Sequence, residues 1–302
     1  MAWERVPYDA WRASLDTLHS HTQVLGKVAL ALAPPEPQLQ HGALRLTIRG
    51  WETAPLAAPD GSGAIGLTLD LRTHEACIEH NDGRSIRVPL TPNRRVADVT
   101  RDVLAGIAEL VGEVTINMQP QETPWSTPLD EDTEHATYDV DQIAGYFGAA
   151  SEAALVLAEY RASFRGRSTP VNAWWGSFDL AVNLFSGMPA DPPSQDFIMR
   201  NSMDAQEIAV GWWPGDHRYP HAAFYAYAHP SPEVLADIDL PVGKWDATLG
   251  EFVLDWDDVV AAGDPHATAL EFCQSFARHA CHVCGWDPTL AGSVTGKPAP
   301  VR

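Results

Sequence analysis

The spacing of apolar residues along the chain alternates between helical and strand-like periods, and each change predicts an element. Trp11, Leu15, Leu18 and Leu25 recur every three or four residues after Pro7, which predicts a helix over residues 8–25. From residue 28 onward, apolar residues alternate with small or polar ones, as in half-buried strands. The pattern predicts strands at 28–32, 44–49, 65–71, 76–79 and 86–90, a helix over 96–110 and a strand at 114–118.

A second block of the chain repeats this order of strands followed by a helix. Residues 119–138 are rich in proline and acidic residues, which predicts a connecting segment. A helix is then expected over 140–164, four strands with a period of two between 170 and 256, and a helix over 266–284.

These elements predict an α+β fold with two antiparallel β-sheets, each followed by a helix, packed as one compact body with a cleft between its halves. The predicted divisions are an amino-terminal half (1–118), the connecting segment (119–138), a tryptophan-rich half (139–286) and a frayed tail (287–302).

Composition narrows the possible partners. The chain has 302 residues, and its 40 acidic against 20 basic residues give a net charge of −20. Such a charge repels phosphate backbones and anionic lipid surfaces, so neither nucleic acid nor a membrane is expected as a partner. The first residues lack a basic leader followed by an apolar run, and the four cysteines are few for this length. We expect a soluble cytoplasmic protein.

Aromatic and acidic residues gather on one predicted face of the second sheet. Because alternate strand residues point to opposite faces, Leu180, Val182 and Trp212 mark a core face. The other parity holds candidates to line a ligand pocket, which are Trp175, Trp213, Tyr225, Tyr227, Asp179, Glu207 and Glu251. An ordinary solvated face of an antiparallel sheet would show the same pattern without a ligand.

Asp179 and Glu207 are the candidate catalytic residues. Two carboxyl groups in unlike surroundings have their pKa values pushed apart, as the paired acid and base of glycosidic or ester hydrolysis require. If the protein is an enzyme, metal-independent hydrolysis by this pair is the expected reaction.

His19 is the candidate polar contact from the first helix. It shares a strip of that helix with Gln23 and Lys27, four and eight residues further on. Because the strip borders the apolar face, a hydrogen-bonded structural histidine and a pocket-lining histidine both fit the pattern.

Two sequence patterns suggest a metal, but neither is complete. His135 follows Asp130 and Asp132, a grouping that also occurs in solvated acidic loops. Cys281 and Cys284 have the spacing of half a zinc site, and no second half is present, so buried small side chains explain them as well. Phosphate-binding and nucleophile-elbow motifs do not occur. We therefore expect neither a metal nor a cofactor.

Several segments together resemble a known family of bacterial proteins. They are Thr17–His19, Phe164–Arg167, Trp175–Ala181, Phe185–Gly187, Gly211–Gly215 and Ala223–Tyr227. The chain is similar, over roughly residues 11–286, to a family catalogued as a domain of unknown function, and the tryptophan-rich segments are specific to it. The resemblance implies one architectural unit and supplies no catalytic residues.

The functional hypothesis is a protein that binds a small polar or sugar-like molecule in an aromatic and carboxylate-lined cleft. A non-catalytic module that binds another protein or a second copy of itself is the first alternative, and a homo-oligomer would fit it. A metal-dependent enzyme acting through His135 is the second. The sequence leaves open whether the protein is an enzyme.

Overall fold

The computed structural model describes residues 3–293 and confirms an α+β fold with two antiparallel sheets. The chain divides into two units. The first unit contains Pro7–Gly148 and Ala173–Asp179; the second contains Ala149–Asn172, the described chain from Leu180 onward and residues 3–6. Within residues 3–293, no helix has both the length and the apolar character that crossing a membrane requires.

In the first unit, two helices pack against the first sheet. The helices are α1 (Tyr8–Leu32) and α2 (Val96–Val111). The strands are β1 (Arg45–Leu46), β2 (Gly50–Glu52), β3 (Leu56–Ala57), β4 (Ala64–Asp70), β5 (Glu75–His80) and β6 (Ser85–Pro89). Their order is β1-β2-β4-β5-β6, with β3 paired to β4. Gly106 of α2 lets the helix approach the sheet, because a Cβ there would lie 3.0 Å from Ile86 Cγ2.

Residues 28–32 continue α1 and do not form the predicted strand. Val28 and Ala29 are 0 % and 2 % exposed, and they extend the buried stripe of Leu18 and Leu25. The run Val-Ala-Leu-Ala-Leu is short enough to fit both periods, and its alanines favour the helix.

The connecting segment lies along α1 in the first unit, and the predicted strand at 114–118 is not formed. The carbonyl oxygens of Gln119 and Gln121 accept hydrogen bonds of 2.8 Å from Lys27 Nζ and Gln23 Nε2. Side chains of α1 thus donate to backbone carbonyl oxygens the hydrogen bonds that a neighbouring strand would otherwise supply. The sequence pattern could not show this, since the donors lie about a hundred residues away.

The second sheet has six strands, two more than predicted. They are β7 (Asn172–Trp174), β8 (Asp179–Pro189), β9 (Ala205–Trp213), β10 (Ala223–His229), β11 (Lys244–Asp246) and β12 (Glu251–Asp255). The order is β11-β12-β10-β9-β8-β7. The helices are α3 (Val140–Ala162), which begins in the first unit and ends in the second, α4 (Phe197–Ser202), α5 (Trp256–Ala261), α6 (Pro265–Val283) and α7 (Pro288–Ser293).

The predicted alternation of the second sheet is confirmed by its register. Trp212 pairs with both Leu180 and Phe224, so these side chains share one face, and all three are at most 1 % exposed. Trp256 of α5 packs on this face, with its ring centroid 5.5 Å from that of Trp212. Helix α6 covers the same face through Phe276, 5.5 Å from Phe252.

The carboxyl-terminal region contains a short helix after α6. Helix α7 occupies residues 288–293 of the predicted frayed tail, and residues 294–302 lie outside the described part of the chain. Cys273 and Cys281 are buried on α6, as expected for small apolar side chains.

Candidate functional site

In the first unit, His19 holds the turn between β7 and β8. Its Nε2 lies 3.0 Å from the carbonyl oxygen of Trp175 and 2.9 Å from that of Gly176. Carbonyl oxygens only accept, so this nitrogen carries a proton that it shares between them. The side-chain amide of the neighbouring Gln23 donates to the Gln121 carbonyl oxygen at 2.8 Å and accepts from the Gln121 backbone amide at 2.9 Å. The predicted pocket histidine therefore has a positioning role in this turn.

Trp175 is buried beneath the same turn. Its Nε1 donates to the carbonyl oxygen of Gly42 at 3.0 Å, and its side chain is 4 % exposed. Gly26 of α1 makes room for the indole, because a Cβ there would lie 2.0 Å from Trp175 Cδ1. Lys27 Nζ lies 5.2 Å from the ring centroid, and burial lowers the pKa of Lys27 to about 8. These contacts give Trp175 a packing role.

Phe178 adopts a backbone conformation that is unusual for its residue type. Its φ is 56°, in the left-handed region that costs a non-glycine residue about 1–3 kcal/mol. Its ring stacks on Trp51 at 5.0 Å and on Tyr146 at 5.2 Å, and Trp51 Nε1 donates to the Tyr146 hydroxyl at 3.1 Å. The stack holds the turn, and the adjoining Asp179 accepts a hydrogen bond from the Ser177 hydroxyl.

Half-buried His135 and buried Asp132 form a hydrogen-bonded pair in the first unit. His135 Nδ1 lies 2.7 Å from Asp132 Oδ2, and the other Asp132 oxygen accepts from the backbone amides of Glu134 and His135. The bond to Asp132 raises the pKa of His135. Burial favours a neutral Asp132, but the bonds from His135 and the backbone outweigh it and lower the pKa of that carboxyl.

No metal centre accompanies this pair. Across residues 3–293, no group of three or more His, Cys, Asp or Glu side chains is placed to hold an ion. Within the described residues, the fold therefore brings no further metal ligand to His135 or to the pair Cys281 and Cys284.

In the second unit, Glu207 is a buried carboxyl on the aromatic face of the sheet. It lies on β9 opposite Phe185 and His229, and it is 2 % exposed. Burial raises the pKa of Glu207 to about 7; Asp204 adds to the rise, and bonds from Asn183 and Tyr227 oppose it. The Tyr227 hydroxyl donates to Glu207 Oε1 over 3.5 Å, which is long for such a bond.

Asn183 completes a polar group that we call the Glu207 cluster, consisting of Asn183, Glu207 and Tyr227. Asn183 and Tyr227 both pair with Ala209, from opposite sides, so a methyl group lies between the two polar side chains. Asn183 Oδ1 is buried and has no hydrogen-bond partner in the described chain. Strand parity put Asn183 on this face, but no sequence signal distinguished it as a site residue.

Tyrosine and tryptophan rings continue the face beside the Glu207 cluster. Tyr225 lies over Gly211, where a Cβ would meet its ring at 2.4 Å, and it is parallel to Tyr227 at a centroid distance of 6.3 Å. Trp213 is 8 % exposed and packs on Tyr219 at 5.5 Å and on Tyr225 at 5.4 Å. Trp213 is thus part of a small apolar cluster more than the lining of an open pocket.

The remaining predicted carboxylates lie elsewhere on the strands. Glu251 pairs with Asp246 at the start of β12, and it is half-buried. Phe185, the partner of Glu207, is six residues along β8 from Asp179, or about 20 Å at strand spacing. Paired carboxylates of glycoside hydrolases are about 5–9.5 Å apart. The register therefore does not support Asp179 and Glu207 as an acid and base pair.

Fold and site together define an α+β protein with a buried carboxyl group of raised pKa on an aromatic sheet face. A family model described as a family of unknown function, DUF5996, matches residues 3–292. The chain belongs to this family, as its tryptophan-rich segments suggested. No curated protein and no solved structure matches the chain.

Proposed function

We propose that the second unit binds a small polar, hydroxyl-bearing molecule at the Glu207 cluster. The observation that carries the proposal is a carboxyl group 2 % exposed beside Asn183, whose Oδ1 has no hydrogen-bond partner in the described chain. Buried polar groups are nearly always satisfied, so an unmet acceptor beside a buried acid supports a missing ligand.

The neighbouring rings favour a sugar-like molecule. Tyr225 and Tyr227 offer parallel aromatic surfaces of the kind that pack against the apolar face of a sugar ring. Glu207, Asn183 and Tyr227 are suited to bind the hydroxyl groups at its edge. His19 and Trp175 are left out of the proposed site because both are committed to the turn of the first unit.

If the protein is an enzyme, Glu207 is the group that we expect to move a proton. With a pKa near 7, it is present in both protonation states at neutral pH, which suits a general acid or base. Its reaction would use one carboxyl in place of the predicted pair. The four cysteines are free thiols, which supports a reducing bacterial cytoplasm as the place of action.

A thermal-shift screen followed by calorimetry tests this proposal. Monosaccharides, polyols and their amino derivatives would be added to the wild-type protein, Glu207→Gln and Glu233→Gln. Glu233 is an exposed carboxylate of the same unit and serves as the control. We expect at least one compound to raise Tm, with an affinity about tenfold or more weaker in Glu207→Gln and unchanged in Glu233→Gln. Binding that is equal in all three proteins would refute the site.

A further inference from the structure

We propose that the molecule bound at the Glu207 cluster carries a primary ammonium group, which Glu207, Asn183 and Tyr227 receive together. This inference rests on the proposed function and names the chemical class of its ligand. Four features of the second unit support it: the charge balance around Glu207, the excess of acceptors, the aromatic rings and the orientation of His229.

The charge around Glu207 is unbalanced. No lysine, arginine or histidine in residues 3–293 forms an ion pair with its carboxyl group, which is 2 % exposed. Its charged neighbour is Asp204, of the same sign. Arg167 is close in the register, but its guanidinium lies over the Phe185 ring at 4.4 Å. Because buried carboxylates are normally paired with a cation, a cationic ligand would supply the missing charge.

The cluster also offers more acceptors than donors. Asn183 and Tyr227 already donate to Glu207, whereas the Asn183 Oδ1, the Tyr227 hydroxyl oxygen and the remaining carboxylate lone pairs can still accept; the Asn183 Oδ1 is unmatched within the described chain. An ammonium group has three donors and no acceptor, whereas a hydroxyl group has one donor. Asn183 and Tyr227 flank Ala209 from both sides, so a group above that methyl is within reach of both. The hydrogen-bond balance therefore favours the ammonium group.

The aromatic rings add to this preference. Tyr225 and Tyr227 present parallel rings next to the carboxyl, with an angle of 8° between their planes. A cation within about 6 Å of an aromatic face is attracted to the ring, and a neutral hydroxyl group lacks this attraction.

His229 does not supply the positive charge that we assign to the ligand. It pairs with Glu207 in the register, but its Nε2 lies 3.0 Å from the carbonyl oxygen of Asp191. Since a carbonyl only accepts, that nitrogen donates its proton to Asp191 and not to Glu207.

Matched pairs of amines and neutral analogues test the inference. The probes are glucosamine against glucose and cyclohexylamine against cyclohexanol, titrated into the full chain by calorimetry at pH 7. We expect each amine to bind at least about tenfold more tightly than its neutral partner. Cyclohexylamine should release about half a proton, measured with buffers of different ionisation enthalpy, because Glu207 is about half protonated at this pH.

Three variants assign the effect to the cluster. Glu207→Gln should abolish both the preference for amines and the proton release, and Glu233→Gln should keep both. Asn183→Leu leaves Glu207 in place and should weaken amine binding by about threefold to tenfold. It replaces Glu207→Gln as the test variant if Glu207→Gln does not fold.

The outcomes separate this inference from the proposed function. If glucose binds as tightly as glucosamine and binding is still weaker in Glu207→Gln, the inference of an ammonium group is wrong. The proposed binding site at the Glu207 cluster is then retained. Failure of every probe and every compound of the wider screen to bind overturns both. Amine binding that persists in Glu207→Gln and Asn183→Leu also overturns the inference.

Discussion

Each unit contains a buried polar side chain among aromatic rings, but the surroundings of these two side chains differ in how completely their polar groups are hydrogen-bonded. His19 in the first unit is 6 % exposed, and its Nε2 is bound to two carbonyl oxygens at 2.9 and 3.0 Å. Glu207 in the second unit is 2 % exposed; Asn183 bonds to it, and its bond from Tyr227 is 3.5 Å long. The adjoining Asn183 Oδ1 is unmatched in the described chain.

This difference separates a structural group from a candidate functional one. A satisfied buried polar group contributes about 1 kcal/mol to stability, whereas an unsatisfied one costs about 1–3 kcal/mol. Functional sites are places where proteins accept such a cost. Burial and aromatic neighbours are common to both places, so hydrogen-bond satisfaction is the property that distinguishes them.

The largest effect is expected from Gly26→Ala, which would break the satisfied cluster of the first unit. A Cβ would lie 2.0 Å from Trp175 Cδ1, so either α1 or the turn must move. We expect the free energy of unfolding, measured in urea, to fall by about 3 kcal/mol or more.

Gly148→Ala is the matched control for this helix glycine. Gly148 lies in α3, and no neighbouring group comes within 4 Å of the position that a Cβ would take, so alanine should stabilise the protein by up to about 1 kcal/mol. Equal stability of the two variants would show that the turn is not tightly packed.

The next effect concerns Glu207→Gln and changes with pH. Because the pKa of Glu207 is raised to about 7, its contribution to stability is complete below about pH 4.5 and is lost as pH rises through 7. Glutamine does not titrate. The stability of Glu207→Gln relative to wild type should therefore increase by about 2–3 kcal/mol between pH 4.5 and pH 8.

Urea unfolding at both pH values measures this change, with Glu233→Gln as the exposed control. The control should differ from wild type by less than about 0.5 kcal/mol, because Glu233 is exposed. A Glu207→Gln difference that is independent of pH would mean that the carboxyl is not desolvated.

The smallest effect is expected from His19→Leu. Loss of the imidazole N–H leaves the carbonyl oxygens of Trp175 and Gly176 without this donor, and we expect about 2 kcal/mol of destabilisation at pH 7. His217→Leu, at an exposed position, should change stability by less than about 0.5 kcal/mol. If the two variants behaved alike, the proposed contrast between the units would be lost.

Much of the fold was predictable because it depends on local periodicity. The long helices α2, α3 and α6 and the alternation in β8, β9 and β10 follow the spacing of their apolar residues. The strand that the pattern predicts at 28–32 is wrong, since five residues are too few to separate a period of two from a helix rich in alanine.

The candidate site was predictable only in part. Parity placed Glu207, Trp213, Tyr225 and Tyr227 on one face, and the register confirms that placement. Parity could not show that Asp179 is about six strand residues from the partner of Glu207, because it reports the direction of a side chain and not its position along the neighbouring strand.

The spacing of neighbouring residues is enough to predict the α+β class and the face of the second sheet on which each side chain lies. Which polar groups find hydrogen-bond partners depends on contacts that form when the chain folds. Trp175 is bound by Gly42, Gln23 by Gln121, and Asn183 Oδ1 by nothing in the described chain. These partners are brought together by folding from distant segments, and no local pattern encodes them.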